Sequence, residues 1–331
     1  MRRSPSAWIG GVLVAAMLIL AIIGPPIWGE EAGRVNPQAV LQGASAAHPL
    51  GTDNLGRDLL ARVLVAARFS LLLALITTAV GGGVGVLLGA LPSVLPRRPA
   101  RFVTATVNTL VAFPGLLLAM FTAVVSGLGA RGAVLGVAAA IAPGVARLTQ
   151  TLAASIAGAD YVAAARMLGA SRMRVLVRHV LPNIAEPLIL NLTQAMGLAL
   201  LGLASMSFLG LGVQPPDFDW GRLLYDGFSR IYVTPVVALG PAVAVTLAGI
   251  GFNLLGDALA QVASRRGEHG RVAVPGEAPR AAGTPDPEAV LEVRDLTVAF
   301  PGDITRYAAC RSPSPQARSS AWWGSRAAAR A

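Results

Sequence analysis

The 331-residue chain contains no lysine; all 27 of its Lys/Arg positions are arginine. A phosphate-binding loop of the Gly-x-x-x-x-Gly-Lys-Ser/Thr type needs its lysine to reach the nucleotide phosphates, so this chain cannot supply one. Cysteine occurs once, at Cys310, which excludes a disulfide framework and a cysteine-based metal site. The histidines, His48, His179 and His269, lie too far apart in sequence to suggest a metal cluster. Charge is scarce too. Asp, Glu, Lys and Arg make up 13% of the chain, against about 25% in a soluble globular protein. With 54% hydrophobic residues and a mean hydropathy of +0.62, this shortage points to a bilayer as solvent.

Six apolar stretches, approximately 7–27, 68–91, 103–125, 133–152, 188–211 and 235–259, reach the roughly 20 residues a spanning helix needs. The first follows Met1-Arg2-Arg3, as a signal peptide does. No clean small-x-small cleavage site precedes the Gly24-Pro25-Pro26 break, so it reads as an uncleaved span. The net charge of +10 raises nucleic-acid binding, but the arginines cluster beside apolar segments, which is the positive-inside pattern of a membrane protein. With the N-terminus in the cytoplasm, inside loops hold Arg2, Arg3, Arg97, Arg98, Arg101, Arg166, Arg172, Arg174, Arg178, Arg265, Arg266 and Arg271. Outside segments hold Arg34, Arg57, Arg62, Arg68, Arg131, Arg222 and Arg230, seven against twelve. That orientation places 153–187 in the cytoplasm. The expected architecture is an all-α, polytopic membrane helix bundle of about six spans.

Within the second span, Gly81, Gly85 and Gly89 recur every four residues. They form a smooth strip that another helix can approach closely. Asn108, Asn191, Thr193, Gln194, Ser205, Ser207 and Asn253 lie in or near spans, where polar groups need partners. They either line a pathway or bond helix to helix. The chain divides into 1–66 (first span and external segment), 67–260 (the main transmembrane domain), a Gly/Pro-rich linker at 261–289, a strand-like segment at 290–303 and a tail at 304–331 expected to be disordered.

The segment 160–183, DYVAAARMLGASRMRVLVRHVLPN, is Arg-rich and amphipathic. Asp160 is expected to cap a short helix whose apolar face is Tyr161, Ala164, Ala165 and Leu168. Gly169 ends it in a left-handed conformation. Ser171 then caps a second helix with Met173, Val177 and Val180 on one side and Arg174 and Arg178 as a basic edge. Leu181-Pro182 is expected to stop that helix. Such an element either docks in a partner's groove or lies on the membrane surface.

Ala164-Ala165-x-x-x-Gly169 followed by Leu181-Pro182 resembles the EAA loop of ABC-transporter permeases. Ala163 replaces the usual Glu and His179 the usual Ile. The surrounding text is similar to the dipeptide/oligopeptide/nickel branch. So are His48-Pro-Leu-Gly-Thr-Asp-Asn-Leu-Gly-Arg-Asp58 and Ser205-Met-Ser-Phe-Leu-Gly-Leu-Gly-Val-Gln-Pro-Pro-Asp-Phe-Asp-Trp-Gly221. The resemblance covers roughly residues 1–265. It implies the transmembrane domain of a type I ABC importer in a bacterial or archaeal cytoplasmic membrane. It also implies a second permease subunit, two ABC ATPase subunits that bind the ATP, and an extracytoplasmic substrate-binding protein. No cofactor, metal or catalytic residue is expected in this chain. By the same resemblance the coupling loop takes Ala164, Ala165, Gly169, Ala170, Arg174, Leu181 and Pro182. The external motif takes Gly51, Asp53, Gly56, Arg57 and Asp58, where a turn held by Asp–Arg pairing is expected.

Val290-Leu-Glu-Val-Arg-Asp-Leu-Thr-Val-Ala-Phe300 resembles the first strand of an ABC ATPase domain. The tail after it is expected to be an out-of-frame end to a longer fusion, which sequencing the DNA past codon 303 tests. Two other classes compete for the whole chain. An intramembrane enzyme needs a nucleophile–base pair or metal ligands inside the spans, and no histidine lies in one. An ion-gradient-driven secondary transporter needs ionisable residues near mid-membrane, and the spans have almost none; Asp257 sits near a span end.

Overall fold

Asp58 opens a long apolar helix. Its backbone is extended, and its carboxylate accepts the Ala61 N–H at 2.8 Å, satisfying one of the free donors of the first turn. In this computed structural model, which describes residues 5–232, 234–268, 291–300 and 303–312, ten α-helices are described. They are α1 (Pro5–Gly33), α2 (Leu59–Ala90), α3 (Arg97–Ala112), α4 (Gly115–Ser126), α5 (Ala130–Ala157), α6 (Asp160–Met167), α7 (Arg172–Val175), α8 (Leu181–Phe208), α9 (Trp220–Phe228) and α10 (Val236–Glu268). Five stretches are long and apolar enough to cross a membrane: Ala7–Gly33, Leu59–Ser93, Ala130–Ala157, Arg172–Phe208 and Val236–Gln261.

The third expected span, 103–125, is not one helix. α3 and α4 meet at a bend of 103°. Pro114 drives the preceding residue out of helical geometry, and Phe113 has φ −79° and ψ 138°. α4 has 12 residues, about 18 Å at 1.5 Å per residue, too short to cross about 30 Å of hydrocarbon alone. Two other boundaries also move. α1 passes through Pro25 and Pro26 to Gly33 instead of breaking there. α2 begins at Leu59 rather than near 68, so Arg62 and Arg68 lie in the helix and not in a loop.

The glycine strip does what its spacing predicts. A Cβ on Gly81 would meet the Ala138 carbonyl at 2.8 Å, and one on Gly85 the Ala142 carbonyl at 2.7 Å. One on Gly89 would meet Ala146 and Thr149, so the strip lies against α5 along three turns. Close approach of backbones replaces the missing hydrophobic drive between helices in lipid. Gly10 of α1 meets Leu254 of α10 in the same way. The main core joins α1, α2, α4, α5, α8, α9 and α10 around Ala67, Leu71, Ala123, Val137, Leu203, Trp220 and Phe252. A second, smaller core of Ala90, Ala153, Val162, Val175, Leu176, Val180, Ile184 and Leu188 supports α6 and α7.

Residues Met1–Gln261 form one compact unit and Val262–Ala331 another. In the second, β1 (Leu291–Phe300) pairs antiparallel with β2 (Asp303–Ser312), with Leu291 opposite Ser312 and Phe300 opposite Asp303. β2 overlaps the segment expected to be disordered from 304. Most of the linker, 269–289, and residues 313–331 lie outside the described residues, as do Arg2, Arg3, His269 and Arg271.

Candidate functional site

At one end of the bundle, α6 and α7 form a compact elbow. Gly169 has φ +82°, the left-handed conformation glycine adopts without strain. Its N–H donates to the Arg166 carbonyl at 3.0 Å, and the Ala170 N–H donates to the Ala165 carbonyl at 3.1 Å. This pair of bonds is a Schellman termination. Ala165, Gly169 and Ala170 therefore carry the turn geometry of the sequence motif. Ser171 caps α7 by accepting the Arg174 N–H at 3.3 Å. Arg172 donates to the Leu95 carbonyl at 3.1 Å, tying the elbow to the connection between α2 and α3.

Three local expectations fail here. The cap of α6 is Ala159, with no side-chain acceptor, and Asp160 is the first helical residue. Pro182 does not stop the second helix. Leu176–Val180 widens into a π turn in which the Leu181 N–H reaches the Leu176 carbonyl, and α8 follows directly. Pro182 then lies just past this widened turn, and the helix continues through it into α8. The expected side of the second helix is split, with Met173 and Val177 outward and Val180 inward, while the Tyr161, Ala164 and Leu168 face of the first lies outward, as docking or lipid contact requires. Val162 is the fully buried residue of α6, whereas Leu168 is 89% and Met167 83% exposed, with Tyr161, Met173 and Val177 also exposed. Val180 is buried with Val175 and Leu176. Ala164, Arg174 and Arg178 are exposed and Ala165 half-buried, around the same elbow.

The opposite end carries a dense polar cluster. Asp53 Oδ1 accepts the N–H groups of Leu55 (2.8 Å) and Arg57 (2.9 Å). Its Oδ2 accepts Arg57 Nε (2.7 Å) and Arg62 Nη1 (2.8 Å). Burial pushes the Asp53 carboxyl up, but the Arg57 and Leu55 bonds and the Arg57 charge outweigh it and hold the group below its ordinary value. The expected Asp–Arg turn is thus present and extends to buried Arg62, whose guanidinium lies 4.3 Å from the Phe218 ring centroid. Asp58 Oδ2 bonds His48 Nδ1 at 2.7 Å. Gly56, at φ +72°, backs directly onto the Asn36 carbonyl, and Gly51, at φ +78°, onto Gln42. A side chain at either position would meet backbone.

The Ser205–Gly221 segment locks onto this end. Buried Trp220 donates its indole N–H to the Val63 carbonyl (2.9 Å), and its backbone N–H reaches Ser70 Oγ (3.1 Å). Buried Asp219 caps α9 through the Arg222 N–H (2.8 Å) and accepts the Ser207 hydroxyl (2.8 Å). The two Trp220 contacts join residues more than a hundred positions apart, and no sequence spacing announces them. Among the other span polar groups, Gln194 bonds Asp257 across α8 and α10 at 3.0 Å, which favours helix-to-helix bonding there. Thr193, Ser205 and Asn253 bond their own helices.

Burial pushes the Asp219 carboxyl from 3.8 to about 6. Its protonation therefore favours the fold, and that contribution is complete below pH 3.8 and lost as pH rises through about 6. Asp219→Asn removes the effect. The stability of wild type relative to the variant should grow as pH falls from 7.5 to 4, by at most about 3 kcal/mol at 1.36 kcal/mol per pKa unit. Thermal unfolding of both proteins in detergent at several pH values checks this; a difference that stays flat across that range refutes it.

A bundle of five long apolar helices and one bent pair, with a presented elbow at one end and a locked polar cluster at the other, is the architecture of a multi-pass membrane protein. Residues 81–268 match the family described as binding-protein-dependent transport system inner membrane component, and the chain belongs to that family. Its relatives include a glutathione transport system permease protein of Pectobacterium atrosepticum, 33% identical over 75% of this chain and 84% of the relative. A dipeptide transport system permease protein of Alkalihalophilus pseudofirmus is 30% identical over 78% of this chain and 85% of the relative. A chain of the methionine ABC transporter MetNI in an inward-facing conformation superposes with a TM-score of 0.50, covering 62% of this chain and 95% of that one at 20% identity. This last likeness establishes the fold: that of an ABC importer transmembrane subunit.

Proposed function

We propose that this protein is the permease subunit of an ATP-driven importer of peptides, coupled to separate ATPase subunits through residues 153–187. The observation that carries the coupling is the elbow. A buried side, led by Val162, anchors it to the bundle, while Met167, Leu168, Met173 and Val177 face outward, uncovered by the described residues. An element fixed on one side and apolar on the other suits a helix-in-groove contact. Ala164, Ala165, Gly169, Ala170, Arg174, Leu181 and Pro182 build or flank it, and the partner ATPases bind the ATP. Peptides are preferred to nickel chelates as cargo because the similar permeases carry the names of dipeptide and glutathione systems, and glutathione is itself a peptide. The N-terminus and the elbow face the cytoplasm in this reading. The cluster of Gly51, Asp53, Gly56, Arg57 and Asp58 then lies outside, where a binding protein delivers solute, and a second permease subunit completes the path.

The test is reconstitution of the chain with its neighbouring permease, ATPase and binding-protein subunits in proteoliposomes. ATP-dependent uptake of a labelled tripeptide that survives an uncoupler is expected. Uptake that needs an ion gradient instead establishes a secondary transporter and sinks the proposal.

A further inference from the structure

Arg147 falls inside the apolar stretch 133–152 rather than beside it. It lies in α5, about 15 Å along the axis from the C-terminal end and about 25 Å from the N-terminal end at 1.5 Å per residue. Its side chain is exposed, and among the described residues it makes no ion pair. The Thr151 hydroxyl bonds the Arg147 carbonyl at 3.1 Å, so the guanidinium is left over. α5 turns Ala142, Val145 and Thr149 toward the glycine strip of α2, and Arg147 lies on the far side with exposed Gly144, Thr151 and Ala154.

A guanidinium in hydrocarbon is costly and is relieved by water, by an acid or by reaching the interface. The third route is poor here. Cα–Cβ bonds in a helix tilt toward its N-terminus, which for Arg147 is the longer way out. A helix packed closely on this far face of α5 is also disfavoured, because Arg147 is the long side chain among Gly144, Thr151 and Ala154 and would hold it off. A water-filled space in front of this face meets both constraints, and a fixed cation on its wall attracts anionic solutes.

We infer that Arg147 lines the translocation path and contacts the carboxylate of the solute as it passes, a step that rests on the permease reading above. The assembled complex carrying Arg147→Cys in a Cys310→Ser background is treated with a charged, membrane-impermeant thiosulfonate. Ile22→Cys on the exposed face of α1 serves as the lipid-facing control. Arg147→Cys should react at least about tenfold faster than the control, and saturating trialanine should slow it. In uptake assays of labelled trialanine, Arg147→Gln should lose about tenfold, the order expected for one hydrogen bond to a charged group, while Arg147→Lys retains most of the activity. An unreactive Arg147→Cys overturns the placement in the path. An accessible residue with Lys and Gln variants equally impaired, or both unimpaired, overturns the carboxylate contact. Absence of trialanine uptake in wild type instead overturns the peptide assignment, and the carboxylate contact with it, while reactivity still decides whether Arg147 meets water.

Discussion

Gly169→Trp is expected to abolish uptake while the protein still inserts and folds. The position is one at which two effects act in the same direction. Gly169 has φ +82°, and no atom lies within 4 Å of where its Cβ would point. An L residue there costs about 1–2 kcal/mol in backbone strain. The indole would project outward beside Met167 and Leu168, the surface assigned to the ATPase contact. Overpacking a fitted contact costs about 1–3 kcal/mol, and each 1.4 kcal/mol is about tenfold in affinity. Together these should reduce ATP-dependent uptake by roughly a hundredfold and abolish co-purification of the ATPase. Gly169→Asn separates the two effects, since asparagine tolerates the left-handed region and is small; it should keep most of the uptake. Normal transport with tryptophan at 169 sinks the coupling assignment, and an equal loss with asparagine shows that backbone geometry rather than docking is responsible.

What the sequence made legible was local. Gly169 and Ser171 announced the end of α6 and the start of α7 because each acts through its own backbone neighbours. Asp53 and Arg57 are four residues apart and paired as their spacing allowed. The six apolar stretches gave the architecture, since hydropathy sums over a window whatever the helix does within it. That same summation hid the 103° bend at Phe113-Pro114. Composition also cannot say which apolar face a short helix buries. Leu168 has the composition of a core residue and lies outward, because the elbow's anchor is Val162, six positions earlier. Arg62 on Phe218 and Trp220 on Val63 depend on tertiary contact and leave no periodic trace.

The glycine strip was the longer-range feature that sequence did carry, and it supports the second large prediction. Gly83 and Gly85 lie in the same helix, two residues apart, and differ only in what they face. A Cβ on Gly83 meets nothing within 4 Å, whereas one on Gly85 would lie 2.6 Å from Val145 Cβ and 2.7 Å from the Ala142 carbonyl. The carbonyl belongs to a helix backbone and cannot rotate away as a side chain can, so Gly85→Leu must push α2 off α5. The cost exceeds the 1–3 kcal/mol of ordinary overpacking, because contacts on either side of the wedge at Gly81 and Gly89 open with it. Both substitutions gain about 1 kcal/mol in helix propensity, so propensity cancels in the comparison. Gly83→Leu should match or exceed wild type in the yield of monodisperse, detergent-extracted protein, whereas Gly85→Leu should lose most of it. Equal yields for the two variants would show that α2 and α5 are not held by backbone approach, and that the four-residue glycine spacing has no part in packing the bundle.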